Sequence, residues 1–164
     1  MTITTRNDIG KLYQAHYVTG HGAEIGVKEG WNALQIMRYY EGTVHLIDIW
    51  KDPKEMMQTM LNAWTRYVGI YRTTSARAAR MFGDGELDWV YIDADHTYES
   101  VSTDHALWAP KVRKGGIVSG HDYSPEFPGV MQMVDELTES GIEIHLTKDD
   151  VYEGIGYFSW WYVK

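Results

Sequence analysis

The 164-residue sequence predicts an α/β fold, with a mostly parallel sheet covered by helices on both faces. Three observations predict it. Short β-branched runs alternate with longer segments of helical period, and strand–helix alternation calls for parallel strands joined by crossover helices. The last two strand-like runs follow one another with only a loop between them, which places one reversed strand at an edge of the sheet. Length and composition, 44% hydrophobic and 23% charged, fit one globular domain over residues 1–164.

The elements follow in order. After a leading helix, residues 23–27 form a short apolar strand that ends in glycine-rich punctuation. Residues 31–40 read as a helix with Leu34, Ile36 and Met37 on one side. Residues 43–49 (TVHLIDI) are a strand by β-branched content. Asp52 as N-cap and Pro53 in the first turn start a helix through residue 67. Residues 68–71 are a short strand, and Thr74 or Ser75 caps a helix through residue 81. Residues 83–85 turn into the buried strand 87–92 (LDWVYI), which leads to a helix over 98–112. A Gly115-Gly116 turn precedes a strand over 117–119, and residues 130–138 form the last helix. Strands 142–146 and 156–163 close the chain. Right-handed crossovers then leave a Rossmann-like three-layer sandwich, seven-stranded, with one antiparallel strand in its edge region.

Several function classes drop out early. The sequence has no cysteine, which removes disulfides, thiol nucleophiles and thiolate metal sites and suits a reducing, cytoplasmic compartment. No run reaches the length of a membrane span, and the first fifteen residues lack the apolar stretch of a signal peptide. The formal net charge of −8 makes nucleic acid a poor partner and tolerates a cationic or neutral small molecule. Seven Trp and twelve Tyr exceed what a core of this size needs, so some are expected at a pocket or a subunit contact.

The first βα turn reads Glu24-Ile25-Gly26-Val27-Lys28-Glu29-Gly30. In an open α/β sheet, ligands bind beyond the carboxyl ends of the strands at such a turn. This is not the dinucleotide G-x-G-x-x-G, and Glu24 would repel a pyrophosphate. A sulfonium cofactor carries positive charge and no phosphate, so Glu24 would attract it. Asp48, about twenty residues on at the end of the second strand, is placed to accept ribose hydroxyl protons. Trp50 is either a cover for an adenine or part of the core.

Two polar clusters end adjacent strands on the same rim: Asp93-Ala94-Asp95-His96 and Gly120-His121-Asp122. Asp93 and Asp122 should approach one another and would suit a hard divalent cation, with His121 widening the choice from Mg²⁺ to Mn²⁺ or Zn²⁺. An alcohol needs its proton removed to act as a nucleophile, and His96 or His121 is the candidate base. Capping and pairing with Asp122 are the structural alternatives for both. His16, His21, His45, His105 and His145 have no clustered acid and are read as structural or exposed.

These residues carry a resemblance. Residues 87–123, LDWVYIDADHTYESVSTDHALWAPKVRKGGIVSGHDY, resemble the region around motif IV of the class I methyltransferases, most of all the branch with macrocin-type sugar O-methyltransferases. Residues 24–50 resemble motifs I and II of that family. Thr73-Thr74-Ser75 sits where its members often place an adenine-contacting serine, and residues 128–136 resemble its next helix. The resemblance implies S-adenosylmethionine held by Glu24, Gly26, Gly30, Asp48, Ser75 and Asp95. It implies a divalent metal, Mg²⁺ or Mn²⁺, on Asp93, His121 and Asp122, although His121 stands where metal-using relatives often carry an acid. It places His96 where catechol-type relatives carry a basic catalytic residue. The chain lacks the lids of larger relatives, so either a second copy in a homo-oligomer completes the acceptor pocket or the acceptor binds in an open cleft. Methyl transfer to a small-molecule hydroxyl is the leading expectation, and a non-catalytic S-adenosylmethionine-binding module is the alternative. A base methyltransferase would carry Asn/Asp-Pro-Pro-aromatic where Asp93-Ala94-Asp95-His96 stands.

Overall fold

The structure, a computed structural model, describes residues 2–16, 20–63 and 68–164. A short 3₁₀ turn at Arg6–Asp8 leads into helix α1 (Ile9–His16). There follow β1 (His21–Ile25), α2 (Trp31–Met37), β2 (Thr43–Asp48), α3 (Pro53–Ala63), β3 (Val68–Arg72) and α4 (Ser75–Ala79). The second half comprises β4 (Leu87–Ile92), α5 (Tyr98–Trp108), β5 (Val112–Tyr123), α6 (Pro128–Glu139), β6 (His145–Leu146), β7 (Val151–Tyr152), β8 (Ile155–Gly156) and β9 (Phe158–Val163).

Seven strands form one sheet in the order β3-β2-β1-β4-β5-β9-β6. The strands from β3 to β5 pair in parallel, and β9 runs antiparallel to both β5 and β6. The reversed strand of the expected sandwich therefore lies one place in from the edge. The order reverses between β1 and β4, and ligands of open α/β sheets bind at such a point.

Alternation along β4 builds the three layers. Leu87, Val90 and Ile92 face α4, α5 and α6 with Phe82, Val101, Trp108 and Val134. Trp89 and Tyr91 face the other way, onto α1 and α2, with Tyr13, Ile36 and Tyr40. Tyr13 stacks on Trp89 at 4.1 Å between ring centroids, and its hydroxyl donates to Ser119 Oγ at 2.6 Å. This pair ties α1 to the centre of the sheet. Trp50, Trp89, Trp108 and Trp160 are all fully buried, so the tryptophan surplus largely fills the core. Trp50 belongs there, its indole N–H donating to the Lys28 carbonyl at 2.7 Å; it does not cover an adenine.

Several boundaries depart from expectation. β1 ends at Ile25, two residues early, because Gly26 turns at φ +85°. α2 stops at Met37, where the amides of Tyr39 and Tyr40 both turn back to the Ile36 carbonyl. The helix expected over 53–67 is seen over Pro53–Ala63; residues 64–67 lie outside the described residues. β5 is far longer than 117–119. Gly115 and Gly116 bulge within it, so that the register passes from Leu87↔Val112 to Trp89↔Ile117. A two-residue hairpin, β7–β8, interrupts the loop before β9, with Glu153 and Gly154 both at positive φ as its turn requires.

Candidate functional site

The carboxyl ends of β1, β2, β4 and β5 open into a cleft of about 810 Å³. Its lining includes Ile47, Asp48, Ile49, Thr73 and Ser75, together with Ala94 and Asp95. Arg6, Trp31, Asn32 and Gln35 also line it, as do Asp93, His96 and Asp122, and Arg6 pairs directly with Asp93. Such a volume holds a cofactor-sized molecule.

Residues 26–29 of the glycine loop line the cleft, and Gly30 does not. A Cβ on Gly26 would lie 2.0 Å from the Asp93 carbonyl, so only glycine lets β1 and β4 leave the sheet this close together. Gly30, at φ +76°, precedes α2 and packs against Thr59. Asp48 reaches the cleft wall but is largely occupied: Oδ2 accepts from the Val27 and Lys28 amides at 2.8 and 2.9 Å, and Oδ1 from the Trp50 amide at 2.7 Å. A carboxylate has about four acceptor positions, so one remains for a ribose hydroxyl. Ser75 donates to Asp104 and accepts from Trp108 Nε1 at 2.8 Å, which anchors it beneath the cleft rim. Asp95 is exposed and accepts from the amide and hydroxyl of Thr97, the cap of α5; those bonds hold its carboxyl below the usual range.

Glu24 departs from the sequence reading. It is fully buried and does not line the cleft, because alternation along β1 turns it toward α2. Its Oε1 accepts from Asn32 Nδ2 at 2.8 Å, and Oε2 has no partner. Burial pushes its carboxyl up to about 8. Asn32 in turn accepts from Arg6 Nε at 3.0 Å, so Glu24 reaches the cleft only through Asn32.

The two strand-end clusters meet as expected. Asp93, His96 and Asp122 bring three ligand atoms within 4.8 Å of one another. His96 Nε2 lies 2.8 Å from Asp122 Oδ2 and 3.9 Å from Asp93 Oδ1. Its ring packs on Phe127 at 4.1 Å. Hydrogen bonding to Asp122 and Asp93 raises His96 to about 10, so it rests as an imidazolium. Burial opposes ionisation of Asp122, but the bonds from His121 and His96 outweigh it and hold the carboxyl well below its ordinary range.

His121 is not in the three-ligand group and does not line the cleft. β5 runs on through Tyr123, so His121 is a strand residue with its ring packed inward. Its Nδ1 sits 2.8 Å from Asp122 Oδ1 and 3.4 Å from an Arg6 nitrogen. A ring N–H that donates to Asp122 cannot also accept from Arg6, so the second approach is a contact of two donors. His121 therefore positions Asp122 and has no path to an acceptor.

Arg6 is the residue that sequence reasoning missed. Its guanidinium pairs with Asp93 Oδ2 and lies 5.6 Å from the centre of the Tyr91 ring. Burial works against its charge, but Tyr91, Asp93, Glu24 and Asp122 around it prevail and keep it ionised. Nothing local in the sequence marks it, since Asp93 is 87 residues away. Asn32 was equally silent, a polar residue on the buried side of a short helix.

The donor set has the number and spacing for a divalent ion, but not the state. Asp93 Oδ2 is taken by Arg6, both Asp122 oxygens by histidines, and His96 is protonated. Single and double positive charges about 4 Å apart repel by roughly 8 kcal/mol at an effective dielectric constant near 20. The residues as placed do not fit the metal that the resemblance implied.

Comparison with known proteins gives the same fold. An O-methyltransferase from Bacillus cereus in complex with SAH superposes at a TM-score of 0.75 with 15% identity, covering 97% of this chain and 80% of that one. A putative rRNA methylase from Clostridium thermocellum gives 0.74 at 12% identity, covering both chains in full. The N-methyltransferase NodS from Bradyrhizobium japonicum gives 0.70 at 11%, covering 97% of this chain and 93% of that one. No curated protein sequence matches the chain. A family model described as a methyltransferase domain matches residues 23–123, the span from β1 through the end of β5 that builds the cleft. The chain belongs to that methyltransferase-domain family, number 24 of its kind.

Proposed function

We propose that this protein transfers the methyl group of S-adenosylmethionine to a hydroxyl oxygen of a small molecule, with a sugar the first class to try. The observation that carries the reading is the His96–Asp122 pair in the lining of a cofactor-sized cleft. The adenosine would lie over Ile49 between Asp48 and Ser75, with Asp95 and the Gly26–Gly30 turn beneath it. The acceptor would lie between His96 and the Arg6–Trp31–Gln35 wall, where Trp31 is 56% exposed and offers a flat face to a ring. The net charge of −8 favours a small molecule over nucleic acid. A sequence without cysteine suits the cytoplasm.

Methyl transfer is a displacement, so most of the acceleration comes from aligning the acceptor oxygen with the methyl group. Asp122 orients His96 through Nε2, and the neutral form of His96 takes the hydroxyl proton as the new O–C bond forms and the methyl–sulfur bond breaks, releasing S-adenosylhomocysteine. Calorimetry with S-adenosylmethionine should show one site per chain. A panel of sugars and phenols should then identify an acceptor by release of S-adenosylhomocysteine. Binding without turnover of any acceptor would favour a cofactor-binding module instead.

A further inference from the structure

The acid pair at the end of the cleft already holds a cation. Asp93 and Asp122 converge from adjacent strands, and Arg6 enters between Asp93 and the Asn32 side chain from a segment far away in sequence. Its placement is fixed at both ends. At the head, Nε donates to Asn32, one terminal nitrogen binds Asp93, and the other abuts the His121 ring. At the root, the Arg6 backbone amide donates to both oxygens of Asp150, at 2.9 and 2.8 Å. The amides of Lys148 and Asp149 bond the Thr4 carbonyl beside it, each at 2.9 Å. Asn32 is oriented in turn by buried Glu24. A side chain so constrained is a built part of the site.

We propose that Arg6 is the resident cation of this acid pair and takes the place of a divalent metal, so that methyl transfer here runs without one. The inference rests on the reading of the Asp93–His96–Asp122 cluster as the acceptor end of the site. A guanidinium stays charged at every working pH and presents a rigid fork that matches a carboxylate. It neutralises Asp93 and fixes the direction of that carboxylate, whose Oδ1 faces the acceptor side near His96. Arg6 is thus a positioning residue acting through Asp93. A metal drawing on the other Asp93 oxygen would meet the guanidinium's charge beside it.

Mn²⁺ titration followed by electron paramagnetic resonance tests this without any methyl transfer, so a failed acceptor screen leaves the result intact. The wild-type protein, with and without S-adenosylhomocysteine, should bind Mn²⁺ no tighter than about 1 mM, the range of weak oxygen sites. R6Q removes the charge and should bind one Mn²⁺ per chain at least about tenfold tighter, the scale on which a group bonded to a metal's ligand changes metal affinity. The double variant R6Q/D93N should lose that gain. R6K keeps the charge without the fork and should exclude Mn²⁺ as the wild type does, which provides a test even if R6Q does not fold. Submillimolar Mn²⁺ binding by the wild type that D93N abolishes overturns the proposal. So does a folded R6Q with no gain, or an R6K that binds Mn²⁺ tightly.

Discussion

His96 sits against two carboxylates, and its charge sets how the site should respond to pH. Raised to about 10, it is an imidazolium at neutrality and must lose its proton before it can take one from an acceptor. The neutral fraction grows tenfold per pH unit below that value. Turnover should therefore climb with pH from 6 to 9 without a plateau. H96Q should be slower by about 10²–10⁴-fold, the usual share of general base catalysis, and should lose the slope. A flat wild-type profile over that range would remove His96 as the base. Glu24 gives a second prediction, in stability. Its folded value, about 8, exceeds the ordinary 4.5, so the folded state holds a proton that the unfolded state releases. Stability should fall as pH rises from about 4.5 to 8, by up to roughly 5 kcal/mol at 1.4 kcal/mol per unit. E24Q should melt close to the wild type at pH 5 and well above it at pH 8.5. Equal gaps at the two pH values would show that Glu24 is not a buried strained acid. At this scale the sequence announced Asp93, His96 and Asp122, because they cluster at the ends of two adjacent strands. It could not announce that Glu24 turns away from the cleft, a matter of strand parity, or that Arg6 closes the cluster.

Among the elements, the β1–α2 turn is the most exacting. Gly26 combines a positive φ with a neighbouring carbonyl that leaves no space for a Cβ. G26A should cost about 2–5 kcal/mol from left-handed strain and overpacking together, and should abolish cofactor binding in calorimetry. Retained binding at wild-type affinity would mean that the loop has a second conformation. The same turn shows what local pattern conveys. Its glycines were readable as a tight turn at a strand's end, and the Leu87–Ile92 strand was readable to the residue, because apolar runs bounded by glycine and acids have one good interpretation. β5 was not readable in full. Its Gly115–Gly116 pair has the composition of a turn, yet parallel pairing with β4 pulls both residues into the strand as a bulge. The β7–β8 hairpin was missed because two-residue strands leave no periodicity to detect.

Across the whole molecule, the strand–helix alternation was enough to specify layers and sheet because crossover handedness leaves little else. The docking of α1 was beyond such reasoning, since it depends on Tyr13 meeting Trp89 and Ser119 across the chain. Y13A should cost about 3–5 kcal/mol, the range for truncating a buried aromatic, and lower the melting temperature by roughly 6–20 °C. A loss under about 1 kcal/mol would mean that α1 is only loosely seated. Among the described residues no helix is long and apolar enough to cross a membrane. The junction of Arg6 with Asp150 spans 144 residues. The entropy of closing so long a loop must be met before that junction can hold, and only a sheet already formed can bring its ends together. The backbone of Arg6 is therefore pinned only once the sheet has brought Asp150 beside it. On a translating ribosome, the root of Arg6 waits for Asp150 to emerge, so this end of the cleft is finished late.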